Sequence, residues 1–246
     1  MNMQFPYQTR QREVVSAAFG DVNGDGIEDY VFLTAVSPSN TSSPYVEQIR
    51  LNIEDGATGK VYTILLDQEG DAGYQPTLFL GDFTGDGVMN ILITIDSGGS
   101  GALTYDYVFS FVNNQSVKMF DFNAYNEKNE YAVTFLNYYK VRIESAVTGQ
   151  AFLLTIRDRG EDYLSQIYDE DETLRGPVAG MFDEVSGFYP VDMDYNGVYE
   201  IQAYQQISGL YHADSFGYII NTLQWDGEKF VISQQWFAMF GESEES

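Results

Sequence analysis

The chain has no cysteine and one histidine, His212, among its 246 residues. Without thiols it cannot form disulfides or thiolate metal sites. A single imidazole cannot supply the two or three histidines of an ordinary zinc site. We therefore expect any bound metal to be held by oxygen atoms of side chains and backbone carbonyls.

Basic residues are also scarce. The chain has 12 Lys and Arg against 37 Asp and Glu, a formal net charge of −25. A surface this negative repels nucleic-acid phosphates and anionic lipid headgroups. Long apolar runs are missing as well, since no segment reaches the ~18 apolar residues that a membrane-spanning helix needs. The sequence thus predicts neither a nucleic-acid-binding protein nor a membrane span.

The first residues, MNMQFPYQTRQREVV, lack the apolar segment of a secretory signal peptide. If the protein is secreted or lies on the cell surface, we expect a leader to have been removed. A cytoplasmic location is the alternative, and the sequence leaves both open.

Three acidic segments share one spacing: DVNGDGIED at 21–29, DFTGDGVMN at 82–90 and DMDYNGVYE at 192–200. Each lies between runs that are typical of β-strands. Oxygen-bearing side chains occupy positions 1, 3, 5 and 9, glycine occupies position 6, and an apolar residue occupies position 7. The candidate metal ligands are Asp21, Asn23, Asp25, Ile27 and Asp29; Asp82, Thr84, Asp86, Val88 and Asn90; and Asp192, Asp194, Asn196, Val198 and Glu200.

This spacing suits calcium, which binds six to eight oxygens. A chain wrapped around the ion presents side chains from positions 1, 3 and 5, a backbone carbonyl from position 7 and the last acid from position 9. We expect the position-7 side chains to enter the core. Because affinity follows ligand charge, the sequence favours calcium at 21–29 and at 192–200. At 82–90 only two carboxylates remain, so binding there is expected to be weak.

The loops are not EF-hands, because the twelfth position of the first loop is Phe32 and a strand-like run follows. The segments FGDVNGDGIEDYVF, LGDFTGDGVMNILI and VDMDYNGVYEIQ resemble the FG-GAP repeats of integrin α-subunits and the related bacterial VCBS-type repeats. The resemblance implies calcium loops between the first and second strands of β-propeller blades.

The spacing of the loops indicates repetition, because the interval from 82 to 192 is almost twice that from 21 to 82. AVTGQAFLLTIRD also echoes the earlier GATGKVYTILLDQ. We predict an all-β fold: one domain, 1–246, built as a β-propeller-like array of about four blades, open or closed. The approximate repeats are 13–74, 75–125, 126–185 (degenerate) and 186–240, followed by a disordered tail at 241–246.

The resulting functional hypothesis is a calcium-binding, non-catalytic binding or adhesion module outside the cell, with a protein or carbohydrate ligand. Abundant tyrosines could provide a ligand platform, although sheet packing is the simpler interpretation; the candidates are Tyr105, Tyr107, Tyr138, Tyr139 and Tyr211. One alternative is a secreted hydrolase or lyase on a propeller scaffold that uses a carboxylate pair. Another is a structural protein with metal-free loops.

Overall fold

The fold is all-β, as the alternating apolar pattern predicted. A computed structural model describes residues 11–38, 43–99 and 101–241. Backbone contacts divide the chain into two units. The first unit comprises Met1–Phe120 with Asp194–Tyr199, and the second comprises Asp121–Met193 with Glu200–Ser246.

The first unit is built on one antiparallel sheet of eight strands. Its order is β1-β2-β3-β5-β6-β7-β8, and β4 pairs with β3 beside this path. The strands are β1 (Arg12–Gly20), β2 (Asp29–Val36), β3 (Tyr45–Glu54), β4 (Val61–Leu65), β5 (Gly73–Gly81), β6 (Asn90–Asp96), β7 (Thr104–Ser110) and β8 (Val117–Asp121). A 3-10 helix, Val112–Asn114, precedes β8.

Alternation of apolar and polar residues along the strands determines which side chains form the core of this unit. In β2, Val31 and Leu33 are fully buried while the residues between them are partly exposed. Side chains alternate between the faces of a strand, so such a run buries one face against the core. In β6, Ile91 and Ile93 are fully buried and Leu92 nearly so, which makes β6 a central strand.

The second unit contains two antiparallel sheets and two short helices. The sheet orders are β11-β10-β9 and β12-β13-β14-β15. The elements are α1 (Phe122–Lys128), β9 (Tyr131–Leu136), β10 (Lys140–Ser145), β11 (Ala151–Thr155), α2 (Glu161–Leu164), β12 (Met181–Val191), β13 (Glu200–Ser208), β14 (Ser215–Trp225) and β15 (Phe230–Ala238), with a 3-10 helix at Arg157–Arg159.

The acidic stretch 157–177 is solvated in part and buried in part. Its charged residues Asp169 and Glu170 are exposed. However, Leu164 at the end of α2, and Ile167 and Tyr168 just after it, are buried in the core of the second unit. The apolar residues that precede the acids therefore face the core, while the acids that follow stay in solvent.

The predicted β-propeller array is wrong, because the strands of the described residues form three open sheets. A propeller keeps each blade as a separate sheet. Here β3 also pairs with β5, through Tyr45 opposite Tyr74 and Val46 opposite Gly73. This pairing joins eight strands into one sheet. On the other side of β5, Gly73 lies close to β6, because a Cβ there would be 2.5 Å from the Asp96 carbonyl oxygen.

The sequence echo between the two halves has a structural counterpart. In the first turn, the Asp55 N–H donates to the Lys60 carbonyl and the Gly59 N–H donates to the Asp55 carbonyl. In the second turn, Ser145 and Gly149 make the same two bonds, with Gln150 in place of Lys60. Both glycines have φ near +70° (69° and 66°), so both turns need a residue that tolerates left-handed backbone.

The boundaries of the four approximate repeats stay a prediction. The predicted disordered tail, 241–246, lies outside the described residues except for Gly241. Within the described part of the chain, no helix has the length and apolar character required to cross a membrane.

Candidate functional site

Each of the three acidic loops connects two antiparallel strands, as the flanking runs predicted. The first joins β1 to β2, the second joins β5 to β6, and the third joins β12 to β13. The first two loops lie in the first unit. In the third, Asp194–Tyr199 belong to the first unit, whereas Asp192 and Glu200 belong to the second.

The first loop is organised by its own carboxylates. The Asp21 carboxylate accepts hydrogen bonds from the N–H groups of Gly24 (2.7 Å) and Gly26 (2.8 Å). The Asp25 carboxylate accepts from the Ile27 N–H at 2.8 Å. Gly24 and Gly26 have φ of +83° and +84°, so the chain turns twice through left-handed backbone. The carboxylates at positions 1 and 5 therefore fix the backbone of the loop.

The second loop repeats this pattern residue by residue. The Asp82 carboxylate accepts from the N–H groups of Gly85 (2.7 Å) and Gly87 (2.8 Å). The Asp86 carboxylate accepts from the Val88 N–H at 2.9 Å. Thr84 donates its hydroxyl to the Asp82 carboxylate at 3.2 Å, so this hydroxyl supports the turn. The same spacing has thus folded into the same turn.

The third loop keeps the elements of the turn but has a strained residue. The Asn196 side chain accepts from the Val198 N–H at 2.7 Å and donates to the Asp194 carboxylate at 3.0 Å. Tyr195 takes the left-handed position that glycine occupies in the other loops, with φ of +59°. A bulky residue is unfavourable in this conformation.

In each loop the side chain at position 9 accepts a hydrogen bond from the backbone N–H of position 2. The Val22 N–H donates to the Asp29 carboxylate at 3.1 Å, and the Phe83 N–H donates to the Asn90 side chain at 2.9 Å. In the third loop, the Met193 N–H donates to the Glu200 carboxylate at 3.2 Å. The longer Glu therefore reaches the same partner as Asp and Asn.

The predicted burial of the position-7 side chains is wrong for the first loop, where Ile27 is 48% exposed. The side chains of the first two loops that enter the core are those at position 2, Val22 and Phe83. The reason is geometric, because position 2 continues the inward-facing alternation of the strand before the loop. Val88 and Val198 are partly buried.

The loops of the first unit form a regular stack. The Met89 N–H, at position 8 of the second loop, donates to the Asp21 carbonyl at position 1 of the first loop (3.1 Å). The Tyr199 N–H, at position 8 of the third loop, donates to the Asp82 carbonyl in the same way (2.7 Å). Gly24 also lies against Val88, where a Cβ would come within 3.1 Å.

Several polar side chains, most of them buried, surround the first loop. Asp29 is fully buried, and its carboxylate also accepts from the Gly56 N–H at 3.0 Å. Asn114 donates to the Asp55 carboxylate at 3.2 Å and accepts from Asn23 at 3.4 Å. Partial burial opposes ionisation of Asp55, but hydrogen bonds from Thr58, Ala57 and Asn114 outweigh it and lower its pKa.

The sequence analysis missed Asp55 and Asn114. The one signal for Asp55 is the DGATG turn, in which an aspartate caps a glycine-containing turn. Asn114 carries no comparable signal, because its role depends on a left-handed backbone (φ +61°) and on long-range packing.

The acidic side chains do not form a ready-made metal centre. Across the described ranges, no group of three or more His, Asp or Glu side chains is arranged to hold a metal ion. The predicted metal-binding cluster is therefore not present in this conformation. The physical reason lies in the hydrogen bonds above: backbone N–H groups hold the carboxylates of Asp21 and Asp25.

The second loop is least suited to a cation. The Oδ1 atom of Asn90 accepts from the Phe83 N–H, while its buried Nδ2 donor has no hydrogen-bond partner among the described residues. An N–H₂ group repels a cation at the place where Asp29 offers an oxygen in the first loop. The sequence-based ranking of this loop below the first is consistent with that arrangement.

A catalytic carboxylate pair would need raised pKa values and access to substrate. Burial raises the pKa of Asp106, on β7, to about 7, with a smaller contribution from Asp96. Yet Asp106 is fully buried, so no substrate can contact its carboxyl group. This group therefore does not favour the alternative of a hydrolase or lyase.

Comparison with solved structures gives a distant similarity to a rhamnogalacturonan lyase, PL11, from Bacillus licheniformis. The identity is 12% and the TM-score is 0.34. The aligned region covers 94% of this chain but 51% of the lyase, so the chain spans about half the length of that protein.

Sequence comparison is more informative. Residues 129–238 match the family model of the YybI C-terminal domain. A protein of Bacillus subtilis (strain 168), "Uncharacterized protein YybI", is 39% identical over 243 residues, which cover 97% of this chain and 91% of that protein. The predicted membership of the FG-GAP/VCBS repeat families is therefore wrong, and the chain belongs to the YybI family.

Proposed function

We propose that the protein is a calcium-binding, non-catalytic binding module, and that the first loop, 21–29, is its calcium site. The observation that supports this most is the shared hydrogen-bond pattern of the acidic loops. Backbone N–H groups fix the carboxylates of Asp21 and Asp25 on one nine-residue turn, and Asp29 closes the same turn. Asp21, Asp25 and Asp29 would hold the ion through their carboxylate oxygens, and the ion would offset the repulsion between these acids.

The electrostatics of the loop favour a cation. Four carboxylates, those of Asp21, Asp25, Glu28 and Asp29, lie within nine residues, and 21–29 contains no Lys or Arg. Like charges at this spacing repel one another, and a divalent ion converts that repulsion into attraction. Loops of this kind in extracellular modules bind calcium at ~10⁻⁴–10⁻³ M. We therefore place the proposed function outside the cell or on its surface, where calcium reaches that concentration.

The first test is a calcium titration followed by isothermal calorimetry and thermal unfolding. At a hundredfold excess over Kd, one occupied site should stabilise the folded protein by about 2.7 kcal/mol. Asp25→Asn should abolish most of this gain. The amide retains the acceptor for the Ile27 N–H; it removes the charge and the longer contact from the Asn23 amide.

The matched control is Glu228→Gln, which removes one exposed negative charge from the β14–β15 turn. The control should keep the full calcium response. Equal melting curves in EDTA and in millimolar calcium for the unmodified protein would refute the proposal. The loops would then be metal-free turns, as in the structural alternative.

A second prediction concerns the weak loop. Asn90→Asp replaces the buried, unpartnered Nδ2 donor with an oxygen and adds a third carboxylate to 82–90. In EDTA the variant should be less stable than the unmodified protein, because it buries an extra charge. In calcium it should recover and bind about one additional ion. Calorimetric stoichiometry would decide, with Asn123→Asp on α1 as the control for an added charge elsewhere.

A further inference from the structure

The four-stranded sheet of the second unit has one face that lies outside the buried core. In β13, Ile201, Ala203 and Ile207 are buried, whereas alternate residues are partly exposed. Tyr189 on β12 lies opposite Gln202 on β13, and Gln206 on β13 lies opposite Tyr218 on β14. Ile220 on β14 lies between Tyr204 on β13 and Trp236 on β15. The aromatic–amide face is defined by Tyr189, Gln202, Tyr204, Gln206, Tyr218 and Trp236.

Aromatic rings cross this face diagonally from strand to strand. Ring centroids are 5.4 Å apart for Tyr189 and Tyr204, and 6.3 Å for Tyr204 and Tyr218. Phe240 extends the line at 5.9 Å from Tyr218. These neighbours meet edge to face, so successive rings present different surfaces. Tyr189 is 55% exposed and Trp236 is 42% exposed, which leaves ring surface available to a ligand.

Glutamine amides hold the tyrosines in place. The Tyr204 hydroxyl donates to Gln202 at 3.1 Å, and the Tyr218 hydroxyl donates to Gln206 at 3.3 Å. Gln206 in turn donates to the His212 carbonyl at 2.9 Å. Rings fixed in this way lose little conformational entropy when a ligand stacks on them. The amides also bring hydrogen-bond donors and acceptors beside the rings.

The charge of the face is as informative as its shape. The strand register places Tyr, Trp, Gln, Thr, Ile, Ala and Gly across the middle of the face, in a chain of net charge −25. Glu200, which pairs with Val191, lies on the same face at one edge. Polyanions are repelled by the rest of the molecule. A basic peptide would find one carboxylate, Glu200, at the edge of the face, and this carboxylate already accepts a hydrogen bond from the Met193 N–H. A neutral ligand with apolar ring faces and hydroxyl edges meets both the aromatic rings and the amides.

We infer that the aromatic–amide face binds a neutral polysaccharide, whose sugar rings stack on the tyrosines and whose hydroxyls hydrogen-bond to the glutamine amides. The inference rests on the proposed role as a binding module, for which it names the ligand class. It does not depend on calcium, because no residue of the proposed calcium site, 21–29, is among the residues that define the face.

The test is binding of the full chain to an array of neutral plant, fungal and bacterial polysaccharides, with polygalacturonate as the charged comparison. Hits are measured by calorimetry in calcium and in EDTA. Tyr204→Ala and Trp236→Ala should each weaken binding at least tenfold. Tyr204→Phe, which keeps the ring, should weaken it less. Tyr138→Ala, at another exposed tyrosine of the second unit, should leave affinity unchanged. Circular dichroism checks that each variant is folded.

The outcomes separate the two proposals. Binding of a neutral glycan in EDTA supports glycan binding by the aromatic–amide face even if the calcium titration fails. A calcium response without glycan binding overturns the glycan inference and leaves the calcium proposal intact. Absence of binding to every neutral glycan overturns the inference, and so does binding to polygalacturonate alone. Affinity that survives in both alanine variants, confirmed as folded, shows that the glycan binds elsewhere.

Discussion

Asp106→Asn is expected to remove most of the pH dependence of unfolding between about pH 4 and pH 7. Asp106 is fully buried in β7, its Oδ2 accepts from the Thr104 hydroxyl at 2.6 Å, and its Oδ1 has no partner among the described residues. Burial raises the pKa of this carboxyl group from 3.8 to about 7, although the hydrogen bond from Thr104 acts in the opposite direction.

The sign follows from proton linkage. Between about pH 4 and pH 7 the folded chain keeps the Asp106 proton, while the unfolded chain has released it. At the acidic end of this range Asp106 therefore costs the folded state nothing. The free energy of unfolding then falls as the pH rises towards 7. A shift of about three pKa units corresponds to roughly 4 kcal/mol.

Urea unfolding at pH 4.5 and pH 7.5 measures the effect. Asparagine carries no charge at either pH, so any fixed cost of the substitution cancels when the two pH values are compared. Asp106→Asn should gain stability relative to the unmodified protein on going to pH 7.5. Glu13→Gln, at an exposed position of β1, should show no such gain. An identical stability difference at both pH values would mean that Asp106 is ionised throughout this range.

Asn221→Ala should lower the free energy of unfolding of the second unit by about 2–4 kcal/mol. Asn221 is fully buried in β14. Its side-chain amide donates to the hydroxyls of Tyr125 (2.7 Å) and Tyr131 (2.8 Å) and accepts from Gln235 at 2.7 Å. Alanine would leave three buried polar groups short of a partner and open a cavity between α1, β9 and β15.

Chemical denaturation followed by tryptophan fluorescence suits this measurement, because Trp225 and Trp236 both lie in the second unit. Gln224→Ala is the matched control, since it changes an exposed amide on the same strand. The control should change stability by less than about 0.5 kcal/mol. A loss of similar size in both variants would show that the buried network adds little to stability.

The sequence predicted those features that depend on residues close together in the chain. Alternation in segments such as DYVFLTAV indicated the strands, and these strands are present. The repeated acidic spacing located three loops between strands, and the left-handed glycines Gly26, Gly87 and Gly197 occur at the predicted position 6. Local backbone preferences and period-two burial suffice for these predictions.

Features that depend on distant residues were missed. The β3–β5 pairing connects Val46 with Gly73 across an intervening strand, and no local pattern signals it. Of the tyrosines proposed as a platform, Tyr107 is fully buried. The rings that do line up, Tyr189, Tyr204 and Tyr218, lie on three strands and meet only through their register. Register is set by the packing of whole sheets, which composition does not reveal.

The stack of loops in the first unit also bears on how such a chain can change in length. Each step uses the same connection: the position-8 amide, in Met89 or Tyr199, donates to the position-1 carbonyl, in Asp21 or Asp82. Because the connection is made by backbone atoms, it tolerates substitution of the side chains around it. Gain or loss of one whole strand–loop–strand unit would recreate the same junction. Insertions within a loop would break it, so we expect length variation among relatives to avoid these nine-residue segments.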